Sequence, residues 1–125
     1  MPLYNTATSA TAIGVTTKWL DNLLSHHDIP GVQSEAQGVS RRLSLAAVTQ
    51  IALAKDLIDL MSLPVPGALR IAADLLDDPS GGRFGAVPAL RITLDLNQFQ
   101  SAVLANLANA VELAPTRRRG RPPKR

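Results

Sequence analysis

The spacing of apolar residues along the chain predicts five helices and one strand. Apolar side chains recur every three or four residues in the helical segments, as they do on the buried face of a helix. Between residues 90 and 96 they alternate with polar ones, which is typical of a strand with one buried face. The predicted helices cover residues 5–14, 17–25, 45–62, 66–77 and 97–113.

Capping residues and helix breakers give the boundaries of these segments. Gly14 ends the first helix, and Thr16 or Thr17 is a suitable N-cap for the second. Ser44 is the predicted N-cap of the long third helix, and Asn97 that of the last one.

Residues 26–43 have no helical period and contain turn formers, so they predict a loop or hairpin with turns at Gly31 and Gly38. Residues 78–89 have the composition of a linker. An isolated strand is unstable, so the strand 90–96 needs a partner, either this hairpin or its own copy in a second chain. The expected organisation is 1–77 as the main domain, 78–89 as linker, 90–114 as a strand–helix unit and 115–125 as a disordered tail.

Charge is distributed unevenly along the chain. Residues 117–125 carry six basic side chains and no acidic one, whereas residues 1–116 carry seven basic and ten acidic side chains. The basic pI of about 10.0 therefore belongs to the tail and does not show that the folded part binds nucleic acid.

Several kinds of chemistry are not indicated. The absence of cysteine excludes disulfides, thiolate metal sites and cysteine nucleophiles. There is no P-loop or dinucleotide-binding glycine motif, and His26 and His27 are adjacent and so point in different directions. We expect no enzyme, cofactor, metal or small-molecule substrate. No apolar run reaches the roughly 20 residues that span a bilayer, and no signal peptide is evident, so we expect a cytoplasmic protein.

The first two helices have the spacing of a helix-turn-helix. Ala10 lies four residues before Gly14, Val15 comes directly after it, and Leu20 and Leu23 lie six and nine residues after it. A small residue, a turn glycine and bracketing apolar residues allow two short helices to pack at a steep angle. Because this pattern also occurs by chance in helical chains rich in alanine and leucine, it predicts a DNA-binding head only together with the downstream order of elements.

The stretch from Thr6 to Leu76 resembles the MerR-type winged helix-turn-helix domain. In that family the helix pair is followed by a wing, an Arg-Arg step into a long helix, and a shorter helix. The resemblance implies a mainly α fold and a DNA-binding head. It differs in reading W-L-D-N-L-L after the turn, in lacking the wing tyrosine, and in having no effector-binding or metal-binding part. The matching residues are Ala10, Gly14, Val15, Arg41, Arg42 and Ser44.

By this resemblance, the first turns of the second helix would face the major groove and the arginine pair would close the wing. Asn22 is suited to adenine, and the two threonines to phosphate. The alternative for Arg41 and Arg42 is that both are solvated surface charges. The expected head contacts are Thr16, Thr17, Lys18, Asn22, Arg41 and Arg42.

The tail resembles an AT-hook, whose core is Arg-Gly-Arg-Pro. Glycine lets the backbone lie on the floor of a narrow minor groove, and the arginines follow the groove where A·T tracts concentrate negative potential. The alternatives are non-specific DNA, RNA or an acidic protein partner. The expected tail contacts are Arg117, Arg118, Arg119, Gly120, Arg121, Pro122, Lys124 and Arg125.

Residues 90–114 are expected to form a homodimer, since the last helix carries an apolar stripe flanked by alanines. The residues of this stripe are Phe99, Val103, Leu104, Leu107, Ala110 and Val111. The alternative is that this helix closes the core of its own chain. The function predicted from the sequence is a DNA-binding transcription regulator associated with the nucleoid. The alternatives are an architectural DNA-binding protein and a helical protein-interaction module of the phage-adaptor or antitoxin type.

Overall fold

The computed structural model describes residues 3–33, 41–77, 83–87 and 90–113. Within these ranges the chain forms five helices and five strands. In chain order the elements are β1 (Leu3–Asn5), α1 (Thr6–Ile13), α2 (Thr17–His26), β2 (Val32–Gln33), β3 (Arg42–Ser44), α3 (Leu45–Met61), α4 (Val65–Asp77), β4 (Arg83–Val87), β5 (Leu90–Thr93) and α5 (Leu96–Leu113).

The fold is mainly helical, as predicted, with one three-stranded and one two-stranded antiparallel sheet among the described residues. The three-stranded sheet has the order β1-β3-β2, so β3 is its central strand. Tyr4 and Val32 lie opposite Leu43 from its two sides, and Leu43 is fully buried. The sheet thus holds the N-terminus and the segment after α2 against the start of α3.

Of the loop or hairpin predicted between α2 and α3, the structure shows the hairpin, with the antiparallel strands β2 and β3 as its arms. Gly31 adopts a φ of +92° and accepts a hydrogen bond from the amide of Ser44 (2.9 Å). The second predicted turn, at Gly38, lies outside the described residues. Strand β1, which is three residues long and pairs with β3, was not predicted from the sequence.

Side-chain caps begin the first three helices. Asn5 accepts from the amide of Thr8 (2.7 Å), Thr16 from Trp19 (3.0 Å) and Ser44 from Ala47 (3.2 Å). The predictions for Thr16 and Ser44 are therefore confirmed. Each cap satisfies one of the amides that a helix start leaves without a partner.

Two predictions at the C-terminal end are wrong. β5 covers residues 90–93 and pairs with β4, which lies inside the predicted linker 78–89, and not with the hairpin β2–β3. A strand there was obscured by the glycines and proline around it, and its pairing is irregular near Gly85. The cap of α5 is Asp95, whose carboxylate accepts from the amide of Gln98 (3.0 Å), and not Asn97.

The core lies where α1, α2, α3, α4 and one face of α5 meet. α5 packs against α1 and α3 and buries Val103, Leu107 and Ala110. Leu104 and Val111, predicted on the same apolar stripe, are instead 46% and 59% exposed. One face of α5 therefore closes the core of its own chain, as in the alternative prediction, and the face with Leu104 and Val111 does not. The homodimer stays a prediction.

Candidate nucleic-acid interface

The pair α1 and α2 is joined by a tight turn at Gly14. This glycine has a φ of +91°, and its amide and that of Val15 both donate to the carbonyl of Ala10 (2.9 and 3.0 Å). Such a left-handed cap ends α1 and reverses the chain. Ala10, Leu20 and Leu23 are all buried in the same cluster, so the small residue in α1 packs with the apolar face of α2.

The opposite face of α2 is exposed. Thr17, Lys18 and Asn22 are all exposed, whereas Leu20, Leu23 and Leu24 on the other side are buried. Residues spaced by four along a helix lie on one face, so Lys18 and Asn22 project together. The side chains predicted to contact DNA are therefore accessible to solvent, and the buried leucines on the opposite face anchor the helix in the core.

The N-terminus of α2 is suited to an anion. No acidic residue lies in the first turn of this helix, and the free amides there carry partial positive charge. Thr16 is exposed, and its oxygen accepts from the amide of Trp19. Because a hydroxyl also donates, the Thr16 hydrogen remains available for a phosphate oxygen.

The two arginines of the hairpin have different surroundings. Arg42 lies on β3 and is exposed, on the side opposite the buried Leu43. Arg41 is half-buried and reaches back to α2. Its Nη1 lies 3.7 Å from a carboxylate oxygen of Asp21, and its Nη2 donates to the hydroxyl of Ser25 (3.3 Å). Both arginines were predicted to contact DNA, but within the described residues only Arg41 is held by side chains of α2.

These partners of Arg41 could not be found from the sequence. Ser25 lies sixteen residues before Arg41 along the chain, on a different element of the fold. The one available signal was the opposite charge of Asp21, which lies three residues after Lys18 and therefore on the same side of α2. This carboxylate becomes a partner of Arg41 because the fold places the start of β3 beside α2.

The tail residues predicted to contact the minor groove, 117–125, lie outside the described residues. Their candidate role therefore depends on the sequence Arg-Gly-Arg-Pro alone. The structure describes the geometry of all six predicted head contacts, which lie on α2, at its N-cap and at the start of β3.

The described residues contain no cluster of three or more His, Cys, Asp or Glu side chains placed to bind a metal ion. None of the helices found in these ranges combines the length and the apolar character needed to cross a membrane.

Comparison of the chain with models of known protein families, with curated protein sequences and with solved structures found no match. Any function assigned to the chain consequently rests on its own residues and geometry.

Proposed function

We propose that the chain is a DNA-binding transcription regulator. In this proposal α2 enters the major groove, the hairpin β2–β3 acts as a wing on the adjacent backbone, and the Arg-Gly-Arg-Pro tail follows the minor groove.

The observation that carries the proposal is the division of α2 into two faces. One face is anchored in the core by Leu20 and Leu23, and the other presents Lys18 and Asn22 to solvent. A helix that reads DNA needs both properties, since base contacts require an exposed face held in a fixed position. Lysine supplies phosphate attraction, and an asparagine amide can bind adenine through two hydrogen bonds.

The order of elements supports a winged helix-turn-helix of MerR type. The pair α1 and α2 is followed by a hairpin, the Ser44 cap, the long α3 and the shorter α4. The contact between Arg41, which directly precedes β3, and Asp21 brings the start of β3 next to α2. A wing has to lie beside the recognition helix in this way if it is to contact the DNA backbone next to the groove that α2 occupies.

The tail would extend the footprint. A Gly between two arginines suits the floor of a narrow A·T-rich minor groove, and the flanking basic residues add affinity through counterion release. Association with the nucleoid would result from this attraction.

We further propose that the regulator acts as a homodimer, because paired heads read paired half-sites. The exposed residues Leu104, Ala108 and Val111 lie three or four positions apart on α5 and form an apolar stripe beside its buried face. Sedimentation of the full chain and of a Leu104→Glu, Val111→Glu variant tests this idea. A monomer at micromolar concentration for the unmodified chain would contradict it.

The experiment for DNA binding is selection of bound duplexes from a random library with the full chain, followed by footprinting on the selected site. Lys18→Ala should reduce the slope of log K against log salt by about 0.9, the value for one lost phosphate contact. Asn22→Ala should cost about 1–3 kcal/mol of discrimination at one base pair. Lys55→Ala is the control for loss of a lysine outside the candidate interface, on α3, where Lys55 pairs with Asp59.

Footprinting separates the regulator from its alternatives. A discrete protected site that depends on Asn22 supports the regulator. Uniform protection of A·T-rich DNA that persists in Asn22→Ala and disappears in Arg119→Ala, Arg121→Ala would instead indicate an architectural protein. Absence of DNA binding by the full chain at moderate salt would refute the proposal and favour the protein-interaction module.

A further inference from the structure

Among the described residues, Arg41 connects the start of β3 to α2 through polar side-chain contacts. Its guanidinium lies between Asp21 and Ser25, which occupy successive turns of α2 on the exposed side of that helix. Ser25 is itself oriented, because its hydroxyl donates to the carbonyl of Asp21 (2.9 Å) while it accepts from Arg41. Three side chains thus connect the start of β3 to the middle and the last turn of α2.

This arrangement competes with a phosphate contact by Arg41. Both terminal nitrogens of its guanidinium are directed at α2, and the nearest carboxylate compensates its charge. To bind a phosphate, Arg41 would have to leave Asp21, and the half-exposed carboxylate would then lie unpaired beside the DNA, where like charge repels it. Arg42 faces solvent on the far side of Leu43 and has no such competitor among the described residues.

We propose that Arg41 is a positioning residue and that Arg42 is the phosphate ligand of the pair. Arg41, Asp21 and Ser25 fix the angle between wing and α2, so that Arg42 meets the backbone only when Lys18 and Asn22 are in register with the bases. The proposal deepens the proposed function and rests on it. The Asp21–Arg41 pair then contributes to discrimination between DNA sequences, whereas Arg42 contributes affinity for any duplex.

The test compares Arg41→Gln, Arg42→Gln and Asp21→Asn in the full chain on a selected site and a scrambled duplex over a range of salt. Arg42→Gln should weaken both complexes and reduce the salt slope by about 0.9. Arg41→Gln should leave the slope unchanged and lower the ratio of specific to non-specific affinity by about two- to fivefold, the range that a half-exposed ion pair supports. Asp21→Asn should lower the same ratio, and the double variant Asp21→Asn, Arg41→Gln should lower it no further.

A readout without DNA keeps the test separate from the proposed function. Hydrogen exchange at the amide of Ser44, which donates to Gly31 in the hairpin, should become several-fold faster in Arg41→Gln and Asp21→Asn but not in Arg42→Gln. A reduced salt slope in Arg41→Gln, or unchanged exchange in that variant, would overturn the positioning role. If the proposed function is wrong, neither the unmodified chain nor any variant will distinguish the selected site from the scrambled duplex. The exchange rates at Ser44 will still show whether Arg41 holds the hairpin against α2.

Discussion

Substitution of Gly31 by alanine tests how the hairpin is joined to α3. Gly31 has a φ of +92°, and a Cβ added there would overlap the hydroxyl oxygen of Ser44 and lie 3.3 Å from the Cβ of Ala47. Ala47 is fully buried and cannot move aside. Ser44 is the N-cap of α3, so rotating its hydroxyl away breaks the bond from the amide of Ala47.

The expected loss has two parts. A left-handed backbone costs an alanine about 1–2 kcal/mol. Loss of a serine N-cap costs about 1 kcal/mol. Gly31→Ala should therefore lower the free energy of unfolding by about 2–3 kcal/mol. Gly14→Ala is the matched control: its φ of +91° is equally unfavourable, but nothing lies within 4 Å of the added Cβ. It should show the backbone part alone.

Urea unfolding followed by fluorescence of the single, partly buried Trp19 measures both losses. In a Ser44→Ala background the cap is already absent and the overlapping oxygen is gone, so Gly31→Ala should cost only about 1–2 kcal/mol more. If Gly31→Ala costs no more than Gly14→Ala, or costs the same with and without the Ser44 hydroxyl, the contact with Ser44 is not what requires glycine.

Three further predictions concern other parts of the fold. Leu107→Ala should cost about 2–5 kcal/mol because Leu107 is buried between α5 and its neighbours, while Leu104→Ala, half-exposed on the same helix, should cost far less; equal losses in urea unfolding would contradict the packing of α5. Thr16→Ala should lower stability by about 1 kcal/mol through loss of the α2 cap, and Thr16→Asn should largely restore it. Partial desolvation of the carboxyl raises the pKa of Asp56, with a smaller contribution from Asp59 in the same direction and an opposing effect of Lys55. The native state then holds the proton of Asp56 more tightly than the unfolded one, so ionisation of this group destabilises the fold as the pH rises through the native pKa. Asp56→Asn should be more stable than the unmodified chain at pH 7, and this advantage should vanish as the pH falls below the ordinary Asp value of about 3.9; an advantage that grows on acidification would refute the assignment.

Local signals in the sequence predicted the helices and the starts of α2 and α3. Thr16 and Ser44 cap α2 and α3 because a side-chain oxygen three residues before a free amide needs no tertiary partner. The turn at Gly14 results equally from local sterics, since glycine tolerates the left-handed backbone there. The exposed face of α2 could be read from the 3.6-residue period alone.

Contacts between residues distant along the chain could not be predicted in this way. Alternation identified β5, but its partner β4 lies within residues whose composition indicates a linker. The apolar stripe of α5 was visible, yet the sequence could not separate Leu107, which is buried, from Leu104, which is exposed.

The amino-acid sequence by itself determined where α1 ends, where α2 and α3 begin and which face of α2 is polar, because caps, turns and periodicity act within a few residues. The tertiary structure alone decided that Arg41 binds Asp21 and Ser25 while the adjacent Arg42 faces solvent. A contact between side chains so distant along the chain depends on how the backbone returns in space, and that path is selected by the packing of the whole core.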